Sequence, residues 1–437
     1  MNWNWIIAAL AIMGISFLIQ SELMVYAMYA LLTLIIASRW LTTTWINAIS
    51  AKRSCSRLEA EIDDIVGVSL EITNAHSIPI PWVLLEDALP PQALIYEPPS
   101  LDLQDSRVKL MMLRGNQNKR VQYTFQCNRR GYYQLGPTIL ETGDLFGLHR
   151  RFRVATEPQF LTVYPRVIPL DGYDLASRRP IGEIQIAHRL FEDPTRIAGV
   201  RGYQHGDPLN RIHWHATART GQLHSKIYEA STVAGLTILL EFQKNAYLQE
   251  HEPFRSELAI TAAASIANAV QIMGQQIGLI TNGRDAADRI RTEGWEGAAN
   301  TRSGAQEAAS PAQNNDRLQP LQIPTRRSTE QFQRIQEILA RVELTNGLTF
   351  SQLVLEAQSR IPRDATVVAI IPAANDQTTI ALQNMARQGF AVSAMINVYD
   401  TLEYARISGP LISAGVDTHH LRNEDAIIHV CRKHAVG

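Results

Sequence analysis

Two long apolar runs open the chain, Trp5 to Ile19 and Leu23 to Ala37, separated only by Gln20, Ser21 and Glu22. Neither run has a polar face, so each reads as a membrane helix rather than an amphipathic surface helix. Each falls slightly short of the ~20 residues that cross a bilayer perpendicularly. Flanking residues such as Trp3 and Leu41 supply the missing length. Trp3, Trp5, Trp40 and Trp45 stand near the ends, where amphipathic rings prefer the headgroup zone. The pattern predicts a two-helix transmembrane hairpin over residues 1–45. Arg39, Lys52, Arg53 and Arg57 follow the second run, whereas the turn between the runs carries no cation. The positive-inside rule then gives a two-span anchor in the cytoplasmic (inner) membrane, with the soluble domains facing the cytoplasm.

Beyond the hairpin the period changes to two. Val66, Val68, Leu70 and Ile72 alternate with Gly67, Ser69, Glu71 and Thr73, and Val121, Tyr123, Phe125 and Cys127 repeat the pattern. Pro79, Pro81, Pro90, Pro91, Pro98 and Pro99 fall between such runs and mark connections. A small antiparallel β-sandwich is expected over residues 46–170. From residue 230 onward, buried strand patterns (Val233 to Leu240, Ile277 to Thr281, Thr366 to Ile371, Phe390 to Val398) alternate with helical ones. Leu258, Ala262, Ile266, Ala269 and Met273 line one side of the first such helix, with Ser256 as its N-cap. Strand–helix alternation implies a parallel, doubly wound sheet over residues 230–437. Asn282 to Thr329 is rich in Gly, Ala, Asn, Gln and Arg and reads as a flexible insertion, 282–329. The fold class is therefore α/β plus all-β, with a connector at 171–229 between the two soluble domains.

Composition narrows the function classes. Of 437 residues, 41 are Lys or Arg and 42 are Asp or Glu, a net charge of -1 that disfavours a nucleic-acid binder. The three cysteines, Cys55, Cys127 and Cys431, form neither a disulfide framework nor a zinc pattern. Phosphate-loop, nucleophile-elbow, His-Glu-x-x-His and dinucleotide fingerprints are absent from the sequence.

The most distinctive residues lie in the connector, from Arg201 to Arg219. Gly206-Asp207-Pro208 is a turn signal, and Asp207 is a bidentate acceptor for Arg201, Arg211 or Arg219. Ile212 and Trp214 are expected to anchor the segment to the sheet. The core Arg201-x-Tyr203-x-x-Gly206-Asp207-Pro208, the Ile212-x-Trp214 pair and the Ala218-Arg219 end resemble the hallmark of domain-of-unknown-function family 58, a bacterial family. Arg130-Gly131-Tyr132, Gly143-Asp144-Leu145-Phe146-Gly147-Leu148 and Val163-Tyr164-Pro165 extend the likeness, while Gly202 stands where the family commonly has Glu. The resemblance implies a C-terminal domain of von Willebrand factor type A fold and partnership with a MoxR-type AAA+ ATPase.

Type A domains often carry a cation site of the form Asp-x-Ser-x-Ser after the first strand, because a hard divalent ion needs carboxylate and hydroxyl oxygens on one loop. The corresponding stretch here is Glu241-Phe242-Gln243-Lys244-Asn245, and the later loop Pro372 to Asp376 adds one acid. Glu241 and Asp376 are thus weak metal candidates, and no cofactor is expected. His205, His213, His215 and His224 form a second cluster, in which His213 and His215 would share a strand face as zinc ligands. Three readings follow: a membrane-anchored, non-catalytic interaction protein whose docking surface is Arg201 to Arg219; a Mg/Mn-dependent adhesion module using Glu241 and Asp376; and a His-based metallohydrolase.

Overall fold

The computed structural model describes residues 11, 14, 22–95, 97–147, 149–170, 192–203, 212–230, 235–293, 319–362 and 365–430. The chain divides into two compact units. One comprises Met1–Arg166, Arg284–Asn315 and Gln336–Glu343; the other comprises Val167–Gly283, Asp316–Ile335 and Leu344–Gly437.

In the first unit, helix α1 (Glu22–Ala48) runs without a break into strand β1 (Ile49–Cys55). Its early apolar residues Leu23, Tyr26, Tyr29 and Ile36 are exposed. Its last turns bury a helical stripe of Ser38, Thr42, Trp45 and Ile46 against the strands that follow. Among the described residues, Val25–Ala48 is the one segment long and apolar enough to cross a membrane. The first expected span, Trp5 to Ile19, lies outside the described residues except for positions 11 and 14.

Ten further strands follow: β2 (Glu59–Glu61), β3 (Ile65–Asn74), β4 (Ile80–Asp87), β5 (Leu101–Leu103), β6 (Val108–Leu113), β7 (Asn118–Cys127), β8 (Gly131–Leu135), β9 (Thr138–Gly143), β10 (Arg150–Thr156) and β11 (Gln159–Tyr164). They form four-stranded antiparallel sheets β1-β3-β7-β5 and β10-β9-β4-β6, and a smaller sheet β2-β11-β8 whose β2–β11 pair is parallel. The alternating Val66, Val68, Leu70 and Ile72 of β3 share one core with Val83 and Leu85 of β4 and Leu140 of β9. Period two puts every second side chain inside, so β3 reads buried at each even position from 66 to 74.

That core contains a buried polar network centred on Arg53 and Asp87. The Arg53 guanidinium pairs with the Asp87 carboxylate, with the two side chains 1% and 0% exposed. Tyr123 donates its hydroxyl proton to the other Asp87 oxygen at 2.6 Å, Thr138 donates to Asp87 at 2.9 Å, and Arg53 donates to the Leu135 carbonyl at 2.7 Å. Burial, and then the Asp87 charge, push the Tyr123 hydroxyl well above its ordinary pKa. Arg53, counted in the sequence among the cations flanking the membrane segment, is therefore a core residue of the folded unit. Gly136 has φ +86°, and a Cβ there would collide with the Arg53 guanidinium.

The flexible insertion expected over 282–329 needs correcting at both ends. Arg284–Asp285 pairs antiparallel with Val342–Glu343, and Ala286–Glu293 is helical. Arg289 grips Glu343 with two hydrogen bonds of 2.7 and 2.8 Å. At the other end Leu321–Arg326 forms strand β16, paired antiparallel with Gln276–Thr281. These elements are short and polar, so they make no periodic signal and are held by partners distant in sequence.

In the second unit, β12 (Glu192–Gly202) pairs antiparallel with β13 (His224–Ala230), and the short helix α2 (Trp214–Thr220) lies between them in the chain. Strands β14 (Gly235–Leu240), β15 (Gln276–Thr281), β16, β17 (Ala365–Ile371), β18 (Ala391–Ile396) and β19 (Asp417–His420) form a six-stranded sheet of order β16-β15-β14-β17-β18-β19. All neighbours are parallel except β15–β16, so the wholly parallel sheet expected from the sequence gains an antiparallel edge. That edge strand comes from the stretch read as insertion.

Helix α3 (Phe254–Ile272) packs on β14, β15 and β17, where Ala259, Ala262, Ala263 and Ala267 permit close approach. Helices α4 (Phe350–Gln358), α5 (Asp376–Arg387) and α6 (Thr401–Ser413) join a core with Leu239, Ile280, Val367 and Ala369. That core contains none of the α3 residues, so the sheet is covered on both faces. The N-cap expected at Ser256 sits at Pro253 instead: α3 begins earlier, and Ser256 N–H and hydroxyl both donate to the Glu252 carboxylate. Arg255 is buried at the head of α3, donates to the Leu421 and Arg422 carbonyls and to Asn397 Oδ1, and stacks on Tyr399.

Candidate functional site

Two places hold the residues that the sequence singles out, and both belong to the second unit. The first is the β12–α2–β13 hairpin. Arg201 lies in β12, Tyr203 N–H donates to the Leu223 carbonyl at 2.8 Å, and His213 N–H donates to the His224 carbonyl at 2.8 Å. Ile212 is buried and bridges to Ser225. Gly206, Asp207, Pro208 and Arg211 lie outside the described residues, and with them the expected Asp207–arginine pair.

Trp214 is corrected from anchor to surface. It is the first residue of α2 and is 68% exposed, because a helix of only seven residues with no buried side chain has no inward face for it. Val200 and Leu223 of the same hairpin are exposed as well, and Ala218 and Arg219 lie on the exposed side of α2. Nothing in the residue types distinguishes an exposed Trp from a buried one, so the sequence had no signal for this.

The histidines are corrected too. His213 and His215 do not share a strand face: His213 precedes α2 and His215 is its second residue, with ring centroids 6.4 Å apart. His213 Nδ1 accepts the Ala216 N–H at 3.0 Å and caps the helix, which uses the one lone pair of the neutral ring. His224 Nδ1 sits 2.7 Å from the Gln222 carbonyl oxygen. His205 is outside the described residues.

The second place is the carboxyl ends of β14 and β17. Those adjacent strands are where the connections diverge to opposite flanks of the sheet, the point at which open α/β sheets present ligand-binding loops. Glu241 follows β14, and its N–H donates to the Ile370 carbonyl at 3.0 Å. The loop is pinned from behind: Asn282 Oδ1 accepts the Phe242 N–H at 2.6 Å, Asn282 Nδ2 donates to the Leu348 carbonyl, and the Tyr247 hydroxyl donates to the Glu241 carbonyl. The Glu241 residue is only 5% exposed, and no hydrogen bond or ion pair to its carboxyl occurs among the described residues. Burial alone pushes that carboxyl up to about 8, so it is largely protonated at neutral pH.

Asp376 presents the opposite case. It is exposed in the first turn of α5, where the helix dipole favours its negative charge. Asn375 caps that helix by accepting the Thr378 N–H at 2.8 Å. The two expected metal candidates thus sit in contrasting environments. Among the described residues no group of three or more His, Cys, Asp or Glu is brought together in a way that could hold a metal ion.

An apolar N-terminal helix, a β unit, and a mixed α/β unit bearing a hairpin with exposed apolar side chains define the class. The model of the family described as "Protein of unknown function DUF58" matches residues 199–330, the segment that holds most of the motif resembling that family. An uncharacterized protein, YeaD, of Bacillus subtilis (strain 168) is 22% identical over 298 residues, covering 65% of this chain and 71% of its own. A CARDB domain from Pyrococcus furiosus matches 26% of this chain and 91% of its own at 8% identity, with a TM-score of 0.20. A Salmonella alpha-2-macroglobulin mutant matches 28% of this chain and 7% of its own at 13% identity, also with a TM-score of 0.20. Likenesses this slight carry no functional argument.

Proposed function

We propose that the chain is a membrane-anchored interaction protein without catalysis of its own, which presents a client to a MoxR-type AAA+ ATPase at the cytoplasmic face of the membrane. The observation that carries this reading is Trp214: a large aromatic, 68% exposed, at the head of a helix inside the family segment. Burying one such ring in a partner is worth several kcal/mol in the gross balance, and exposed aromatics of this kind are typical interface anchors. Exposed Val200 and Leu223 in the same hairpin support the reading. The doubly covered six-stranded sheet is compatible with a type A fold, and a protonated Glu241 would make a poor ligand for a hard cation. Helix α1, with its exposed apolar first half, would be the second span of a two-helix hairpin.

The test is co-purification from native membranes. Trp214→Ala should abolish recovery of the ATPase with the full chain while leaving the chain's abundance and circular dichroism unchanged. Undiminished recovery would refute the docking role. Orientation is best read from a cysteine placed at an exposed loop, since the Cys55 thiol is raised by burial and bonded to Gln159 at 3.2 Å.

A further inference from the structure

The Gly143–Gly147 part of the family-like motif serves neither the hairpin nor the carboxyl ends of β14 and β17. It forms the turn between β9 and β10, and the turn is closed from within. The Asp144 carboxylate accepts the His149 N–H at 2.6 Å and the Phe146 N–H at 3.2 Å, Asp144 N–H donates to the His149 carbonyl at 3.1 Å, and Gly147 supplies φ +74°. Asp144 itself is buried. This rigid frame holds Leu145 and Phe146 outward, 76% and 66% exposed. Two adjacent large apolar side chains on a preordered tip need a reason, because nothing in the core of the unit uses them.

The position of the turn suggests one. Arg153 of β10 donates to the carbonyls of Asn47 and Ile49, at 3.3 Å each, so the end of α1 lies beside the middle of β10. From there β1 runs toward the far end of the β9–β10 pair, where Arg53 meets Leu135, Thr138 and Glu157. The buried stripe of α1, from Ile46 back to Ser38, therefore runs the other way, along β9 and β10 toward their turn. A helix rises 1.5 Å per residue and a strand about 3.3 Å, so about 13 Å of helix back from Asn47 matches the reach from Arg153 to the turn. The base of the turn thus stands level with Ser38 and the Leu145–Phe146 tip just beyond it, where the exposed apolar half of α1 ends next to its first cation, Arg39. Arg150 and Arg151 are exposed at the base of the same turn.

The geometry points to this turn as a second membrane contact: Leu145 and Phe146 enter the interfacial layer of the bilayer beside α1, with Arg150 and Arg151 on anionic headgroups. It rests on reading α1 as a membrane helix. A bilayer fits better than a protein groove because α1 packs along the β9–β10 pair that carries the tip, and the tip is flanked by exposed cations, of which Arg150 also faces Glu141 at 3.9 Å. That is the pattern of interfacial anchors, which sink about 5–10 Å into the headgroup boundary. The contact would fix the tilt of the β unit, which α1 already joins without a flexible link.

The test places an NBD fluorophore on the full chain at Phe146→Cys or, separately, at Ile36→Cys, both exposed positions, with background taken from the unsubstituted chain. The protein is reconstituted in phosphatidylcholine–phosphatidylglycerol vesicles containing a doxyl-labelled lipid. Quenching of about twofold or more at both positions is expected for residues at interfacial depth or deeper. Quenching at 36 alone overturns the inference and leaves the anchor standing. An unquenched position 36 removes the anchor, and the inference with it. Arg150→Gln with Arg151→Gln should weaken quenching at 146 and leave 36 unchanged; no effect at 146 would overturn the headgroup role of the arginines.

Discussion

Glu241→Gln should stabilise the α/β unit, and the gain should depend on pH in a way that no packing change would reproduce. The carboxyl titrates near 8 in the folded chain against 4.5 as its ordinary value, with burial as the cause. Between those values the native state holds a proton that the unfolded chain has released, so native stability falls as pH rises through this window. A difference of about 3.5 units at 1.36 kcal/mol each gives about 5 kcal/mol, fully developed only above pH 8 and absent below about pH 4.5. Glutamine keeps the shape and the polar head but cannot ionise, so it escapes this penalty. Urea unfolding of the detergent-solubilised full chain, read through hydrogen-exchange protection of the β14 amides, should therefore show wild type and variant nearly equal at pH 5. The variant should then draw steadily ahead as pH rises, reaching the full difference only above pH 8. A gap that stays constant from pH 5 to 9, or a wild type favoured at pH 9, would refute the assignment of a neutral buried acid.

Asp87→Ala should destabilise the β unit by about 3–5 kcal/mol, because it strands the buried Arg53 charge; urea midpoints measure this, and the paired change Arg53→Met with Asp87→Leu should recover much of the loss. Gly136→Ala is expected to lose about 1–2 kcal/mol from the left-handed backbone alone, and more from collision with the Arg53 guanidinium, read as a drop in Tm. Cys127 is buried, with its thiol pushed up to about 12, so maleimide labelling at pH 8 should run about a thousandfold slower than for a free thiol until denaturant is added.

What could be read from the chain alone were features with a local physical cause. Apolar runs without a polar face announce α1, because a helix that is greasy all round must be covered by something. Alternation at β3 and β7 announces strands whose side chains point to two faces, and the uninterrupted run at β14 announces a strand covered on both. The family motif is likewise a matter of spacing. Tertiary structure decided whatever depends on partners far apart in sequence. Arg53 reads as a membrane-flanking cation until Asp87, 34 residues on, neutralises it in a core. Leu321–Arg326 has too little apolar surface to declare itself, and becomes a strand only because β15 offers it an open edge. Glu241 looks like an ordinary acid, yet burial in the folded unit raises its carboxyl toward the protonated form. The outward rings of Trp214 and Phe146 belong to the same class, since exposure is a property of everything that fails to cover a side chain, and sequence records only the side chain itself.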